Sequence, residues 1–375
     1  MRLPPLMLLM AAVTIVGSNS LALSPVALEI GRAFGGASAQ EVLVAASLFG
    51  AGTALAAVGI APFADRIGLS RALFLAICVL VLGMAGTALA PALWVVWLAQ
   101  AVAGLGSGVA LPATYGLAAE IAPKGRESTF FGRVLMGWTL SLVFGASAAA
   151  LIADLAGWRA VHGVLAALGL LVLLAMALSP RMGEVRAAQG ASPWAALRVP
   201  GIGAALAVAG GYMAAFYGLY AYFAPHLQVQ LGWPVWMVGA VPLVYGIGFG
   251  LASLGDPWID RFGARAVAPW VFGGLVVQYL ALAAAAGWAW ALVALCFSWG
   301  IINHLGLNLI VGRLAALDPA RRGAVLGLNS GVTYLAMFVA TAGFGWVEVA
   351  LGFVACAMLS AVCVLPALGD ALRRR

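Results

Sequence analysis

Runs of twenty or more apolar residues, separated by short polar gaps, recur along the chain from Leu6 to Ala367. A helix needs about 20 mostly apolar residues to cross a bilayer. The pattern predicts twelve spans, at 6–31, 42–63, 72–90, 93–116, 129–152, 160–179, 201–225, 235–257, 267–287, 289–311, 324–346 and 349–367. These runs lack strict alternation and are about twice as long as a tilted barrel strand. The expected class is an all-α polytopic membrane protein.

Composition agrees. Of 375 residues, 65% are hydrophobic and 8% charged, with a mean hydropathy of +1.08, whereas a water-soluble domain carries about a quarter of its residues charged. The charge that remains is asymmetric. Short cytoplasmic loops retain Lys and Arg, and with the N-terminus inside, all but Arg32 and Arg159 of the 19 basic residues fall on the cytoplasmic side. Both termini are therefore expected in the cytoplasm. The net charge of +7 reads as topology and contact with anionic lipid, not as a nucleic-acid surface. Tryptophan favours the headgroup level, and Trp94, Trp97, Trp158, Trp233, Trp236, Trp258, Trp270, Trp288, Trp290 and Trp346 all fall near expected span ends.

The N-terminus, with Arg2, an apolar run and small residues around Ala22 and Ser24, also has the make-up of a secretory signal. Cleavage would leave eleven spans and break the charge parity, so an uncleaved first span is expected. Cys78, Cys296, Cys356 and Cys363 lie within spans at no metal-like spacing and read as packing residues. "GLGSGVALP" at 104–112 imitates a dinucleotide loop, but it follows no strand and lies inside a span, where helix packing explains it. No nucleophile and base pair, metal cluster or ATP-binding domain can be assembled. Neither an enzyme nor a cofactor is expected.

"PFADRIGLSR" at 62–71 returns as "PWIDRFGARA" at 257–266, so that Asp65 and Asp260 stand 195 residues apart (260 less 65). That is close to half the chain, and each acid ends an even-numbered span. The expected organisation is a six-span bundle over 1–179, a cytoplasmic linker over 180–200, a second bundle over 201–369 and a basic tail over 370–375. Paired repeats around a shared cavity are a common transporter plan.

"ADRIGLSR" at 64–71 resembles the loop signature between the second and third spans of the major facilitator superfamily. Asp65, Arg66, Gly68 and Arg71 match it, with Ala61 in place of the leading glycine, and Asp260, Arg261, Gly263 and Arg265 repeat it. "APKGRES" at 122–128 and "GWRAVHG" at 157–163 are also similar to family text, nearest to its drug and sugar efflux members. The resemblance implies twelve helices in two bundles related by a pseudo-two-fold axis, with alternating access to one cavity and a pathway within a monomer. It also implies that the repeated loop latches the bundles on the cytoplasmic side. Read from the residues alone, the same loop is a topology anchor, with Gly68 permitting a tight turn.

In the family the first, fourth, seventh and tenth spans line the cavity. There the sequence offers Asn19, Gln100, Tyr212, Phe216, Trp299, Asn303 and His304, with Asn308 one turn beyond and Trp138 and Tyr245 as neighbours. Tyr220 continues the Tyr212 and Phe216 stripe toward the interface, where a belt role suits it better than ligand contact. Ionisable groups at membrane depth are costly and usually functional. Here only His304 and Asp256 qualify as proton-coupling candidates. Each has a plainer reading, His304 as a hydrogen-bonded packing residue and Asp256 as part of the gate.

No Lys or Arg occurs at the midplane, so the expected solute is small and neutral, amphipathic or monocationic. Two departures from antiporter signatures weaken proton coupling: Gln100 stands where many members have Arg, and Ala146 where they have Pro. The expectation is a secondary active transporter with proton-coupled efflux; the alternatives are an uncoupled facilitator and a non-transporting sensor.

Overall fold

The computed structural model of the chain describes residues 4–63, 67–123, 127–179, 196–318 and 322–373. Among them, eleven helices are long and apolar enough to cross a membrane. In chain order the helices are α1 (Pro5–Ala33), α2 (Ala39–Gly59), α3 (Leu69–Ala88), α4 (Leu93–Ile121), α5 (Glu127–Leu140) and α6 (Ser147–Ala156), then α7 (Trp158–Leu178) and α8 (Ile202–Val229). They continue as α9 (Ala240–Leu251), α10 (Asp256–Phe262), α11 (Ala264–Ala284), α12 (Ala289–Leu317) and α13 (Arg322–Arg373). Short polar punctuation sets the boundaries. At the start of α2, Ser38 Oγ accepts from the Glu41 N–H while Glu41 Oε2 accepts from the Ser38 N–H at 2.7 Å, a capping box that satisfies two orphan donors.

Three elements differ from the sequence expectation, the first being the span expected at 235–257, which is divided into a short helix, Val235–Val238, then α9, a 3-10 turn over Ala252–Gly255 and α10. The gap expected after 346 is helical, and α13 runs on to Gly352, whose φ of 77° and ψ of −178° break it; Val347 to Leu351 favour helix, so the chain turns at the glycine instead of at Glu348. The span expected at 129–152 is not one regular helix. A π-helical turn, Ser141–Ala146, joins α5 to α6, where Ser141 and Gly145 press against Gly17 and Ser18 of α1.

The two glycines of the repeated loop share one backbone conformation. Gly68 (φ 88°, ψ 133°) caps α3, and Gly263 (φ 82°, ψ 137°) caps α11. An L side chain at either place would be strained, which is why glycine recurs in both copies. Arg71 and Arg265 are exposed, and Arg261 lies 5.5 Å from the Phe262 ring centroid. Asp65 and Arg66 lie outside the described residues, as do the side chain of Asp260 and the expected linker up to residue 195.

Helices of the first half pack chiefly on one another, α4 against α2 and α3, and those of the second half do likewise, α8 against α13 and α9 against α12. Small residues permit this. A Cβ built on Gly104 would lie 2.2 Å from Phe49 O, and one on Gly108 would lie 2.2 Å from Thr53 O, so the glycine run at 104–108 is a close helix contact of the kind that drives association in lipid. The halves meet where α1 touches α8, α2 touches α13, and the π turn touches α9. Trp94, Trp258, Trp270, Trp288, Trp290 and Trp346 are exposed near helix ends, as a headgroup belt requires. Trp158 is buried instead, its ring edge-on to Phe34 and covered by the Arg159 guanidinium.

Candidate functional site

The residues singled out in the sequence separate into three groups. In the first half, Asn19 Nδ2 donates to Gln100 Oε1 at 3.0 Å and Gln100 Nε2 donates to Thr87 Oγ1 at 2.9 Å, all three side chains being fully buried. Gln100 thus ties α4 to α1 and α3 and spends its polar atoms inside its own half. Gln100→Leu would strip Asn19 of its side-chain partner, while Thr87 keeps its own bond to the Gly83 carbonyl at 2.9 Å, at an expected cost of about 1–3 kcal/mol. Asn19→Leu/Gln100→Leu should cost less than the sum of the two single variants, as checked by thermal unfolding in nanodiscs.

In the second half, Tyr212 of α8 donates its hydroxyl to the Asn303 carbonyl of α12, and Asn303 Nδ2 donates to Tyr245 Oη of α9 at 2.9 Å. Trp299 is 0% exposed, ringed by Phe216, Phe223, Tyr245 and Tyr279 at centroid distances of 5.1–6.0 Å. Tyr212, Tyr245, Trp299 and Asn303 therefore hold α8, α9 and α12 together; Phe216 is the half-buried member of the set.

The third group is open. Asp256 begins α10, where a carboxylate suits a helix N-terminus. His304 and Asn308 lie one turn apart on α12. His304 Nε2 is 3.1 and 3.2 Å from the two Asp256 oxygens, and Asn308 Nδ2 donates to Oδ1 at 2.9 Å. The Asp256 side chain is 34% exposed and that of His304 18%. The imidazole meets the Phe249 ring edge-on at 4.9 Å, and its Nδ1 is buried without a partner. This arrangement can hold a proton: a protonated imidazole forms an ion pair with the carboxylate, and a neutral one keeps the contact by donating Nε2–H to it. Sequence spacing showed His304 and Asn308 on one face but gave no sign that Asp256, 48 residues earlier, meets them.

Sequence reasoning missed a further cluster between the halves. Trp138 Nε1 donates to Tyr115 Oη at 3.0 Å, Tyr217 and Tyr334 have centroids 6.5 Å apart, and Tyr334 meets Phe49 of α2 at 6.4 Å. Each aromatic alone reads as core, and only their meeting across α4, α8 and α13 distinguishes them. Tyr220, expected in the interface belt, is 5% exposed and packed against α1. Two voids lie between the halves, each of about 10 Å³, the room of about one water.

Eleven helices among the described residues, each long and apolar enough to cross a bilayer, define a polytopic membrane protein. The family model of the Major Facilitator Superfamily matches residues 7–341, and the chain belongs to that superfamily. It is a membrane transporter, not an enzyme. It is 26% identical over 368 residues, 95% of this chain and 89% of the other, to the uncharacterized MFS-type transporter YwfA of Bacillus subtilis (strain 168). It is also 26% identical to a probable sugar efflux transporter of Pasteurella multocida (strain Pm70), over 64% of this chain and 59% of that one. With the inner membrane transport protein YdhP of Escherichia coli (strain K12) it shares 27% identity over 51% of this chain and 49% of that one.

Proposed function

We propose that this transporter exports a small neutral, amphipathic or monocationic organic solute in exchange for protons, by alternating access. In this reading it has twelve spans, α13 crossing twice about Gly352, in two six-helix bundles over 1–179 and 201–369 joined by a cytoplasmic linker. It sits as a monomer in a bacterial inner membrane with both termini in the cytoplasm. The repeated loop, with Gly68, Arg71, Gly263 and Arg265 among its residues, gates the cytoplasmic side.

The observation that carries the reading is the contact of His304 with Asp256 and Asn308. A histidine and a carboxylate joined within a membrane span are retained at a cost in lipid, and such pairs mark proton relays. The name of the Pasteurella multocida relative supports the efflux direction. Phe216 and Trp138, both half-buried, are the side chains left for a solute to contact. An uncoupled facilitator is the second reading, favoured by the self-satisfied Gln100 network on α4.

The test is flux into proteoliposomes for a panel of neutral and cationic compounds, with and without an imposed pH gradient. Coupled export predicts accumulation that follows the gradient. Flux indifferent to the gradient selects the facilitator, and no flux for any compound overturns the proposed solute class or favours the sensor.

A further inference from the structure

Two prolines lie inside the helices that join the halves, Pro25 in α1 and Pro225 in α8. Proline has no N–H, so the carbonyl four residues earlier loses its helical donor. The two carbonyls freed in this way belong to Leu21 and Ala221. In lipid an orphan carbonyl costs several kcal/mol unless something satisfies it.

Each freed carbonyl is taken up by a hydroxyl from the other half. Tyr220 Oη donates to Leu21 O at 3.3 Å, and Ser24 Oγ lies 2.8 Å from Ala221 O and 3.0 Å from Tyr220 O. The exchange is reciprocal: the α8 tyrosine serves the α1 carbonyl, and the α1 serine serves the α8 carbonyl. Gln228 Nε2 adds a bond to Pro25 O at 3.0 Å. Both voids between the halves adjoin this contact, each lined by Ser24 and Tyr220. The stretches 5–28 and 202–225 hold no Asp, Glu, Lys or Arg, so the contact itself is made by neutral hydrogen-bonding groups.

We propose that the Leu21 and Ala221 carbonyls form a solute subsite that selects for hydrogen-bond donors. This rests on the alternating-access reading above and names the substrate class it left open. When the halves part along α1 and α8, the two carbonyls lose Tyr220 and Ser24 together. A solute carrying two hydroxyl or ammonium donors replaces them, so that binding offsets the cost of parting. An acceptor-only solute meets two carbonyls it cannot satisfy and is disfavoured. The class is therefore a polyhydroxylated neutral compound or a protonated amine, in preference to ethers, esters and quaternary ammonium ions of the same shape.

The test uses the full chain in nanodiscs and two probe pairs in which methylation removes every donor: an octyl glucoside against its fully O-methylated form, and phenethylammonium against its N,N,N-trimethyl derivative. The donor-bearing member of at least one pair is expected to bind, with its methylated partner at least about tenfold weaker. Pro25→Ala and Pro225→Ala each restore an N–H to the helix and satisfy the carbonyl internally. Each should weaken the donor-bearing probe about tenfold while leaving thermal unfolding no lower than in the parent. Should either variant fold poorly, Gly substituted at the same proline supplies the N–H as well and replaces it in the comparison.

Equal binding within both pairs, absence of binding by both donor-bearing probes, or unchanged affinity in the proline variants would each overturn the inference. Proteoliposome flux separates it from the reading beneath it. Movement of the methylated probes alone leaves the export reading standing and removes the donor rule, whereas donor-dependent binding without flux of any probe keeps the subsite and removes export of these solutes.

Discussion

His304→Gln is expected to abolish solute accumulation driven by a pH gradient while leaving downhill exchange of the same solute intact. One pH unit supplies about 1.4 kcal/mol per proton, enough for about a tenfold solute gradient in a one-for-one antiporter. With the membrane potential clamped, the variant should hold that ratio near one, because glutamine keeps hydrogen-bonding atoms beside Asp256 but takes no proton. Asp256→Asn should do the same from the other side of the 3.1 Å contact. The measurement is the steady-state ratio of labelled solute inside and outside proteoliposomes, run beside counterflow exchange with no gradient. A parent-like ratio in His304→Gln would remove the histidine from coupling. Equal loss of accumulation and exchange would make the cluster structural.

Gly300→Val is the second large effect, and it acts on the same cluster through packing. A Cβ at Gly300 would lie 2.1 Å from Tyr245 O and 2.8 Å from Phe249 N, and one at Gly248 would lie 2.1 Å from Phe297 O. These two glycines let α9 and α12 approach backbone to backbone, and that approach sets Asp256, just beyond α9, within reach of His304. Valine must push the helices apart. Overpacking of this kind costs about 1–3 kcal/mol, and the displacement should also stretch the 3.1 Å contact. The expected result is a lower midpoint of thermal unfolding together with loss of gradient-driven accumulation, with Gly300→Ala intermediate. Gly274→Val on α11 is the control, since its nearest neighbour is the end of the Ile302 side chain at 3.9 Å; it should change neither readout. A stable, fully coupled Gly300→Val would show that the α9–α12 approach is not required.

Much of the fold was legible because lipid imposes simple rules on sequence. Length and hydropathy locate helices that must satisfy their own backbone, and the repeated Gly68 and Gly263 turns needed a residue that tolerates positive φ. The break at Gly352 was misplaced because a glutamate in an apolar stretch reads as a loop, whereas helix propensity carries through Glu348 and the backbone turns only where glycine permits it. Of the candidate site, His304 and Asn308 were legible as neighbours since a helix repeats its face every turn. Asn19, Gln100, Tyr212, Tyr245, Trp299 and Asn303 were expected on a cavity wall, and in this structure their polar groups and rings are directed into their own halves. Residue type gives depth in the membrane but not rotation about the helix axis.

The sequence by itself therefore determined that this is a helical membrane protein, and its duplicated loop raised the expectation of two related halves, since periodicity, charge asymmetry and repetition are local or additive properties. Only the tertiary structure decided which polar groups meet. The pairing of Asp256 with His304, the phenol cluster about Tyr115, Tyr217 and Tyr334, and the exchange of hydroxyls for the carbonyls freed by Pro25 and Pro225 all join residues from different helices. Such pairings depend on how each helix is turned and how closely small residues let it approach its neighbour, and no periodicity along a single chain encodes that.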